Sequence, residues 1–312
     1  MTNILEAVPW ARRLKIRHLE VFLSLHATGS LTAAAAQLHM TQPALSHWLA
    51  DIEGVIGCPL FVRGRRLTLT PDGEVLRAHA ARMLGDVQRT HADLDAVRSG
   101  LQGRVHVGTG IPRVLLPKAI ARLQQERPGI FVSVFEAPLP DLLERLAKRE
   151  IDIVIGALSA QALRSGFSTE ALLEDSVQVV AGAGHALLRK RKPRWEDTAQ
   201  HPWLLPPLGS VMRDTLDTAF AARRLRPPVP SVEANSSIRM QLLMGERDYL
   251  SILSTSEVQL YRPLGLIEPV PLAPTIPSPD IGAIWEAGRV NPLITQFLEA
   301  LRLEAHAVTT SA

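Results

Sequence analysis

Apolar positions in the first hundred residues recur at helical spacing and break at short intervals. Ile16, Leu19, Phe22 and Leu23 mark one face of a helix over 16–28 that stops at Gly29. Leu31–Leu38 carries four consecutive alanines, which favour helix and let a neighbouring helix approach closely. Ser30 is a good N-cap for it. After a connection at His39-Met40, Thr41 caps a third helix with Pro43 in its first turn, where a missing N–H does no harm. Leu45, Leu49 and Ile52 form its apolar stripe, Trp48 stands at the stripe's edge, and Gly54–Gly57 is expected to turn the chain. Gln42, Pro43, Ser46, His47 and Ala50 lie opposite. That outer face is short-chained, rich in donors and acceptors, and free of Lys and Glu. Two short helices joined by a tight turn give a helix-turn-helix, and such a face can approach base edges, with Gln42 suited to adenine and Ser46 tolerant of several partners.

Residues 61–70, FVRGRRLTLT, read as a wing: two brief strands about Gly64, bearing Arg63, Arg65 and Arg66 for phosphate or minor-groove contact. From Glu74 to Leu101 the positions Leu76, Ala80, Met83, Val87, Thr90, Leu94, Val97 and Leu101 alternate spacings of four and three. This a/d seam predicts a helix of roughly 40 Å that pairs with a second chain.

Beyond Gln102-Gly103 the pattern changes. Arg104–Gly108, Ile130–Glu136 and Ile151–Gly156 read as strands, with helices over Val114–Glu126 and Pro140–Arg149 between them, a βαβαβ unit with a parallel sheet. A second, looser series runs Val177–Ala181, Leu216–Arg223, Val229–Ala234, Ile238–Met244 and Tyr249–Leu253. Asp280–Trp285 then returns as a strand, and a last helix carries Leu293, Phe297 and Leu301. In open α/β sheets the ligand crevice lies beyond the carboxyl ends of the strands, where helix N-termini favour anions. Three junctions meet that condition: Thr109, Gly110 and Ile111; Gly209 and Ser210 within Pro206–Ser210; and Ser237 within Asn235–Ser237. Arg113 and Arg213, one or two turns into two of these helices, are candidate counter-ions for an anionic ligand.

Composition adds little to this picture. Hydrophobic content of 46% and charged content of 21% suit an ordinary globular chain, and 312 residues allow two or three units. Net charge is only +3, so charge alone would not point to nucleic acid. Cys58 is the only cysteine, which excludes an internal disulfide and a cysteine-based zinc site. No apolar run is long enough for a membrane span, and no secretory signal is visible, so a cytoplasmic protein is expected. There is no G-x-S-x-G, H-E-x-x-H or P-loop, and Gly108-Thr109-Gly110 is only a fragment of a dinucleotide fingerprint, since Arg113 stands where its third glycine belongs. An enzyme is not expected, and no cofactor or metal is called for. The rival expectation is a cytoplasmic small-molecule binding protein whose N-terminal helices serve only oligomerisation.

Several stretches together resemble the LysR-type transcriptional regulators. They are Arg17-His18-Leu19 with Phe22, Gly29–Ala35, Leu38–Ser46, then Glu53, Gly57, Pro59-Leu60-Phe61, Arg63 and Leu69–Gly73. The likeness continues at lower density through nearly all of the chain. It implies an α+β multidomain protein: an N-terminal winged helix-turn-helix, a long linker helix, and a C-terminal two-lobed α/β effector domain of the periplasmic-binding-protein type. The expected boundaries are an extension over 1–14, a DNA-binding domain over 15–73, a linker over 74–102, an effector domain over 103–306 and a tail over 307–312. Lobe I takes about 103–175 and 275–306, and lobe II about 176–274. The resemblance implies that Thr41, Gln42, Pro43, Ala44, Ser46 and His47 face the major groove, with Thr32 and the three wing arginines on phosphates or the minor groove. It also puts Leu139 in the cleft. The implied partners are double-stranded promoter DNA, a small-molecule effector, a second copy of the chain as dimer or dimer of dimers, and RNA polymerase. Pro206–Ser210 resembles a subgroup associated with catabolism of sugars or aromatic acids. Two departures stand out: His47 where the family more often has Arg or Lys, and Trp48 where Gln is frequent. The wing is also one residue shorter than usual.

Overall fold

The computed structural model describes residues 13–98, 101–110, 114–234, 236–245, 248–286 and 292–310. Residues 1–12 of the expected extension, with Ile111, Arg113 and Asn235, lie outside them. The chain forms two compact units that divide near residue 100, Ala147–Glu150 grouping with the first.

The first unit holds helices α1 (Ile16–Thr28), α2 (Leu31–Gln37) and α3 (Gln42–Ile56), a hairpin of β1 (Phe61–Val62) and β2 (Thr68–Leu69), and the long helix α4 (Pro71–Arg98). Leu19, Phe22 and Leu25 of α1 pack with Ala34 and Ala35 of α2 and with Leu45, Leu49 and Ile52 of α3. α3 runs through Gly54 to a left-handed Gly57 instead of turning there. The buried Val55 extends its apolar stripe, which outweighs the ~1 kcal/mol that one glycine costs inside a helix.

α4 begins three residues earlier than the periodicity suggests. Thr70 Oγ1 accepts the Gly73 N–H at 3.0 Å, and Pro71 takes the first helical position. Its heptad seam does not act as one stripe. Leu76 and Ala80 are buried in the unit's own core with Leu84 packed against it, whereas Met83, Val87 and Leu94 are exposed.

The second unit is two-lobed. In lobe I, β3 (Gly103–Thr109), α5 (Leu115–Glu126), β4 (Ile130–Glu136), α6 (Leu139–Ala147) and β5 (Ile153–Ala157) form the expected parallel βαβαβ. A short helix α7 (Ala160–Leu163) and an edge strand β6 (Ser168–Leu173) follow, neither of them visible in the sequence pattern. The chain then crosses to lobe II as β7 (Ser176–Gly182). There β8 (Leu204–Leu205), α8 (Val211–Ala222), β9 (Val232–Glu233), α9 (Ser236–Gly245) and β10 (Leu250–Ser254) make the second βαβαβ. Helix α10 (Thr255–Tyr261) and strands β11 (Ile267–Pro269) and β12 (Ile276–Pro277) complete that lobe. β13 (Ile281–Trp285) and α11 (Pro292–Thr310) return to lobe I, the helix running on into the expected tail.

The sequence expectation for lobe II needs one correction. Residues 177–181 do not open its parallel series. β7 runs antiparallel to β10, β11 and β12, and the first strand of the series is Leu204–Leu205, parallel to β9. An apolar run carries no record of its direction, and a two-residue strand carries almost no periodicity. Lobe I mirrors the arrangement, with β13 antiparallel between β5 and β6 in the order β4-β3-β5-β13-β6. Its core joins Val105, Val107, Ile153 and Ile155 to Leu115, Leu116 and Leu123 of α5 and Phe297 and Leu301 of α11. Trp195, Trp203 and Phe220 anchor the core of lobe II.

His185 is buried in lobe II. Its Nδ1 accepts the Leu187 N–H at 3.1 Å, which leaves the Nε2 proton to face the Asp248 carbonyl at 3.2 Å. Burial first, and then the His201 ring 4.6 Å away, hold its pKa below the ordinary imidazole value. The unfolded chain takes up a proton below about pH 6.5 that the folded chain refuses, so stability is present above that value and falls as pH drops. The melting temperature should therefore decline between about pH 7 and about pH 5. In His185→Gln that decline should be shallower, and an identical pH profile would count against this account.

Candidate DNA interface and effector cleft

The turn between α2 and α3 is closed by backbone bonds, Leu38 N–H to Ala34 O at 3.0 Å and Met40 N–H to Ala35 O at 2.9 Å, with His39 in the left-handed region at φ 53°. Both caps expected from sequence form. Ser30 Oγ accepts the Ala33 N–H and Thr41 Oγ1 accepts the Ala44 N–H, each at 3.3 Å. With Leu45, Leu49, Ile52 and Val55 buried, Thr41, Gln42, Pro43 and His47 are exposed and Ala44 and Ser46 half-buried on the outer side of α3.

A contact that the sequence reading missed pins this helix to α1. His18 is 1% exposed; its Nδ1 accepts the Lys15 N–H at 3.0 Å, and its Nε2 lies 3.1 Å from Asp51 Oδ2. The acceptor role of Nδ1 assigns the proton to Nε2, which then donates to Asp51. Trp48 stands edge-on to the same imidazole at 4.9 Å. At the helix's far end Glu53 Oε1 accepts the Leu60 N–H at 2.8 Å, tying α3 to the start of the wing. The signal was available: His18 and Glu53 lie in the stretches that carry the family resemblance.

The wing pairs Phe61 with Leu69 and Val62 with Thr68. Arg63, Arg65 and Arg66 are exposed, with no acidic partner among the described residues. Arg66 lies across Gly29, where a Cβ would collide with its side chain, and the Leu67 N–H donates to Gly29 O at 2.9 Å. The wing root is therefore held on the α1–α2 junction, one turn from the exposed Thr32. An uncharged donor–acceptor face flanked by unpaired guanidiniums suits a groove floor bordered by phosphates.

In the second unit the expected cleft residues sit at strand-to-helix junctions, but their hydroxyls are largely engaged. Thr109 is 4% exposed and donates to the Ile155 carbonyl at 3.0 Å. Ser210 donates to Pro207 O at 2.8 Å while its oxygen caps α8 through the Arg213 N–H at 3.4 Å. Gly209 is left-handed and exposed, Leu139 opens α6 half-buried, and Ser237 is exposed in the first turn of α9. Gly110 leaves open space where a side chain would be. Arg213 is 6% exposed, its Nε 3.2 Å from both oxygens of Asp217 and its buried Nη1 without a partner among the described residues. A cavity of about 400 Å³ lies between Ser159 of lobe I, the Val211–Thr218 face of α8 and the returning segment at Pro277 and Pro279. Ser159 and Asp214 were not anticipated. Ser159 follows the third strand of lobe I as Thr109 follows the first, and that parallel was the available signal.

Two family models match: the bacterial regulatory helix-turn-helix of the lysR family over residues 16–74, and the LysR substrate binding domain over residues 98–305. The chain belongs to the LysR family of transcriptional regulators. It is 30% identical over 295 residues to the HTH-type transcriptional regulator GbpR of Azospirillum brasilense, covering 93% of this chain and 86% of that one. It is 32% identical over 291 residues to the HTH-type transcriptional regulator GalR of Pseudomonas putida, covering 92% and 73%. Among solved structures, the LysR family regulator CbnR aligns with a TM-score of 0.61 at 20% identity, over 94% of this chain and 99% of that one. Full-length CbnR in complex with its target DNA aligns at 0.62 and 19%, over 93% and 100%.

This LysR-family regulator thus joins a helix-turn-helix DNA-binding domain to an effector-binding domain, and its relatives are named as regulators of transcription. Among the described residues no helix is long and apolar enough to cross a membrane, and no cluster of His, Cys, Asp and Glu could hold a metal.

His47 is the exposed α3 residue at which the family resemblance leads one to expect a longer cation. An imidazole makes at most one bond to a base edge, where a guanidinium makes two to guanine. His47→Arg should shift base preference at one position of each half-site, as read by sequencing duplexes selected from a random pool. An unchanged sequence logo would remove His47 from the reading face.

Proposed function

We propose that this regulator reads promoter DNA as a homodimer through Gln42, Pro43, Ala44, Ser46 and His47, with Thr41 at the head of the same helix. Thr32, Arg63, Arg65 and Arg66 hold the neighbouring phosphates or minor groove. The observation that carries this reading is the bare, uncharged outer face of α3 beside three unpaired arginines. Val75, Met83, Val87 and Leu94, exposed along α4, support pairing with a second copy. The protein acts in the cytoplasm and carries out no catalysis.

In the same proposal the effector is a small anionic metabolite held where the lobes face each other. Backbone N–H groups near Gly110 and Gly209 and the polar ends at Thr109, Ser210 and Ser237 receive it, with Leu139 as apolar wall. Lobe closure on the ligand biases the oligomer's shape and so the bend or spacing of bound DNA.

Fluorescence anisotropy on DNA upstream of the protein's own gene, across a salt series, tests the DNA half. Gln42→Ala and Ser46→Ala should each weaken specific binding by ~1–3 kcal/mol and leave the salt slope nearly intact, because neither side chain neutralises a phosphate. If both variants match wild type, the helix-turn-helix is scaffold. Calorimetry against a panel of sugar acids and aromatic acids tests the effector half. At least one should bind, and Ser210→Ala should weaken it several-fold; a panel without a binder, or an indifferent Ser210→Ala, overturns the cleft assignment.

A further inference from the structure

Lobe II carries the densest positive charge in the chain. Residues 189–194 read Arg-Lys-Arg-Lys-Pro-Arg, and residues 223–226 read Arg-Arg-Leu-Arg. Trp195 brings the two runs together: it follows Arg194 directly, packs edge-on to Phe220 at 5.3 Å, and lies under the Arg223 guanidinium at 4.3 Å. Among the described residues two acids pair with these eight cations. Lys190 meets Asp197 at 3.0 Å and Arg194 stands 4.0 Å from Glu196. Arg189, Arg191, Lys192, Arg224 and Arg226 are exposed with no acidic partner among the described residues. Eight cations against their two paired acids leave +6 on these runs, in a chain whose total is +3, so the remainder is net negative.

Two further observations argue that the charge is used. Arg224 occupies the left-handed position after α8 at φ 58°, a site where glycine or asparagine is the unstrained choice. The ring of Trp195, the aromatic at the centre of the face, is buried and covered, so the patch lacks the exposed aromatic anchor on which a protein partner's hot spot is built. Phosphate contact needs no such anchor, and arginine's fork suits phosphate oxygens.

We propose that the Arg189–Arg194 and Arg223–Arg226 face of lobe II is a second, sequence-independent DNA contact that binds backbone phosphates of duplex flanking the operator. The proposal rests on the reading of DNA as the partner of the helix-turn-helix.

The test uses the full-length protein and two duplexes, the footprinted operator alone and the same operator extended by several helical turns on both sides. The variant Arg189→Gln, Arg191→Gln, Lys192→Gln, Arg226→Gln should bind the short duplex as wild type does. On the long duplex the salt slope should flatten by roughly 0.9 for each phosphate no longer neutralised, about three to four per protomer when four cations are removed, with at least a tenfold drop in affinity at low salt. Replacing the three arginines by lysine instead should keep most of the affinity. Equal affinity and slope for variant and wild type on both duplexes overturns the proposal. Lost transcription with unaltered DNA binding overturns it too, in favour of an acidic protein partner. In either case Gln42→Ala still reports on the helix-turn-helix separately, since it weakens both duplexes alike.

Discussion

The orientation of α3 is decided by what it hides. Leu45 and Ile52 are fully buried and Leu49 is 2% exposed, and each such side chain contributes ~1.5–3 kcal/mol when withdrawn from water. The polar links are fewer: the charge-assisted hydrogen bond from His18 to the half-exposed, partly screened Asp51 carboxylate contributes at most ~1.5–3 kcal/mol, against three such buried side chains. Packing therefore fixes which side faces out, and His18, Trp48 and Glu53 trim the helix's roll and its register with the wing. A face selected by burial on the opposite side is nearly free to vary in sequence. That freedom is what lets the scaffold carry His47 there without disturbing the three leucine and isoleucine contacts beneath.

A comparable constraint shapes the second unit. Each lobe completes its sheet with a strand that enters from the other lobe, β13 in one and β7 in the other, so the lobes are joined by two crossings at 174–175 and 278–280. The first crossing is tightly held on the lobe II side. Asp175 Oδ1 accepts N–H groups from Ser176 at 2.8 Å and Thr255 at 3.0 Å, and its Oδ2 accepts the Ser256 hydroxyl at 2.7 Å. The Ser176 and Thr255 hydroxyls meet at 2.7 Å. A carboxylate carrying these bonds is hard to detach, and on the other crossing the Leu158 N–H holds the Asp280 carbonyl at 2.7 Å. The cavity beside Ser159 and α8 borders that return segment at Pro277 and Pro279.

How far the sequence reveals this depends on the length of each signal. Long amphipathic elements such as α1, α5 and β4 are legible because many residues repeat one period. β8 and β9 have two residues each, and β7's direction depends on pairing, so lobe II reads out of order until its strands are seen together. The helix-turn-helix is legible to the cap because capping is local chemistry. The cleft is less so. Thr109 and Ser210 stand at strand-to-helix junctions, yet their hydroxyls are bonded to Ile155 and Pro207 carbonyls, and only three-dimensional pairing shows whether a cap faces open space or its own backbone. The lobe II patch was written in plain view as two basic runs. What sequence could not supply was the Trp195–Arg223 stack that makes them one surface.

Helix α4 shows why a regular heptad can mislead. Leu76, Ala80 and Leu84 follow one another at spacings of four and sink into the winged unit, while Met83, Val87 and Leu94 keep to a neighbouring face and remain bare. An ideal helix drifts by about 20° per heptad against a 3.5-residue repeat, so one alternating series can pass from one partner to another along its length. The first turns are committed to the DNA-binding unit, and the later turns keep an apolar face bare. Rotation of α4 about its own axis would strip Leu76 and Ala80 from the winged core as it moved the bare Met83 and Val87.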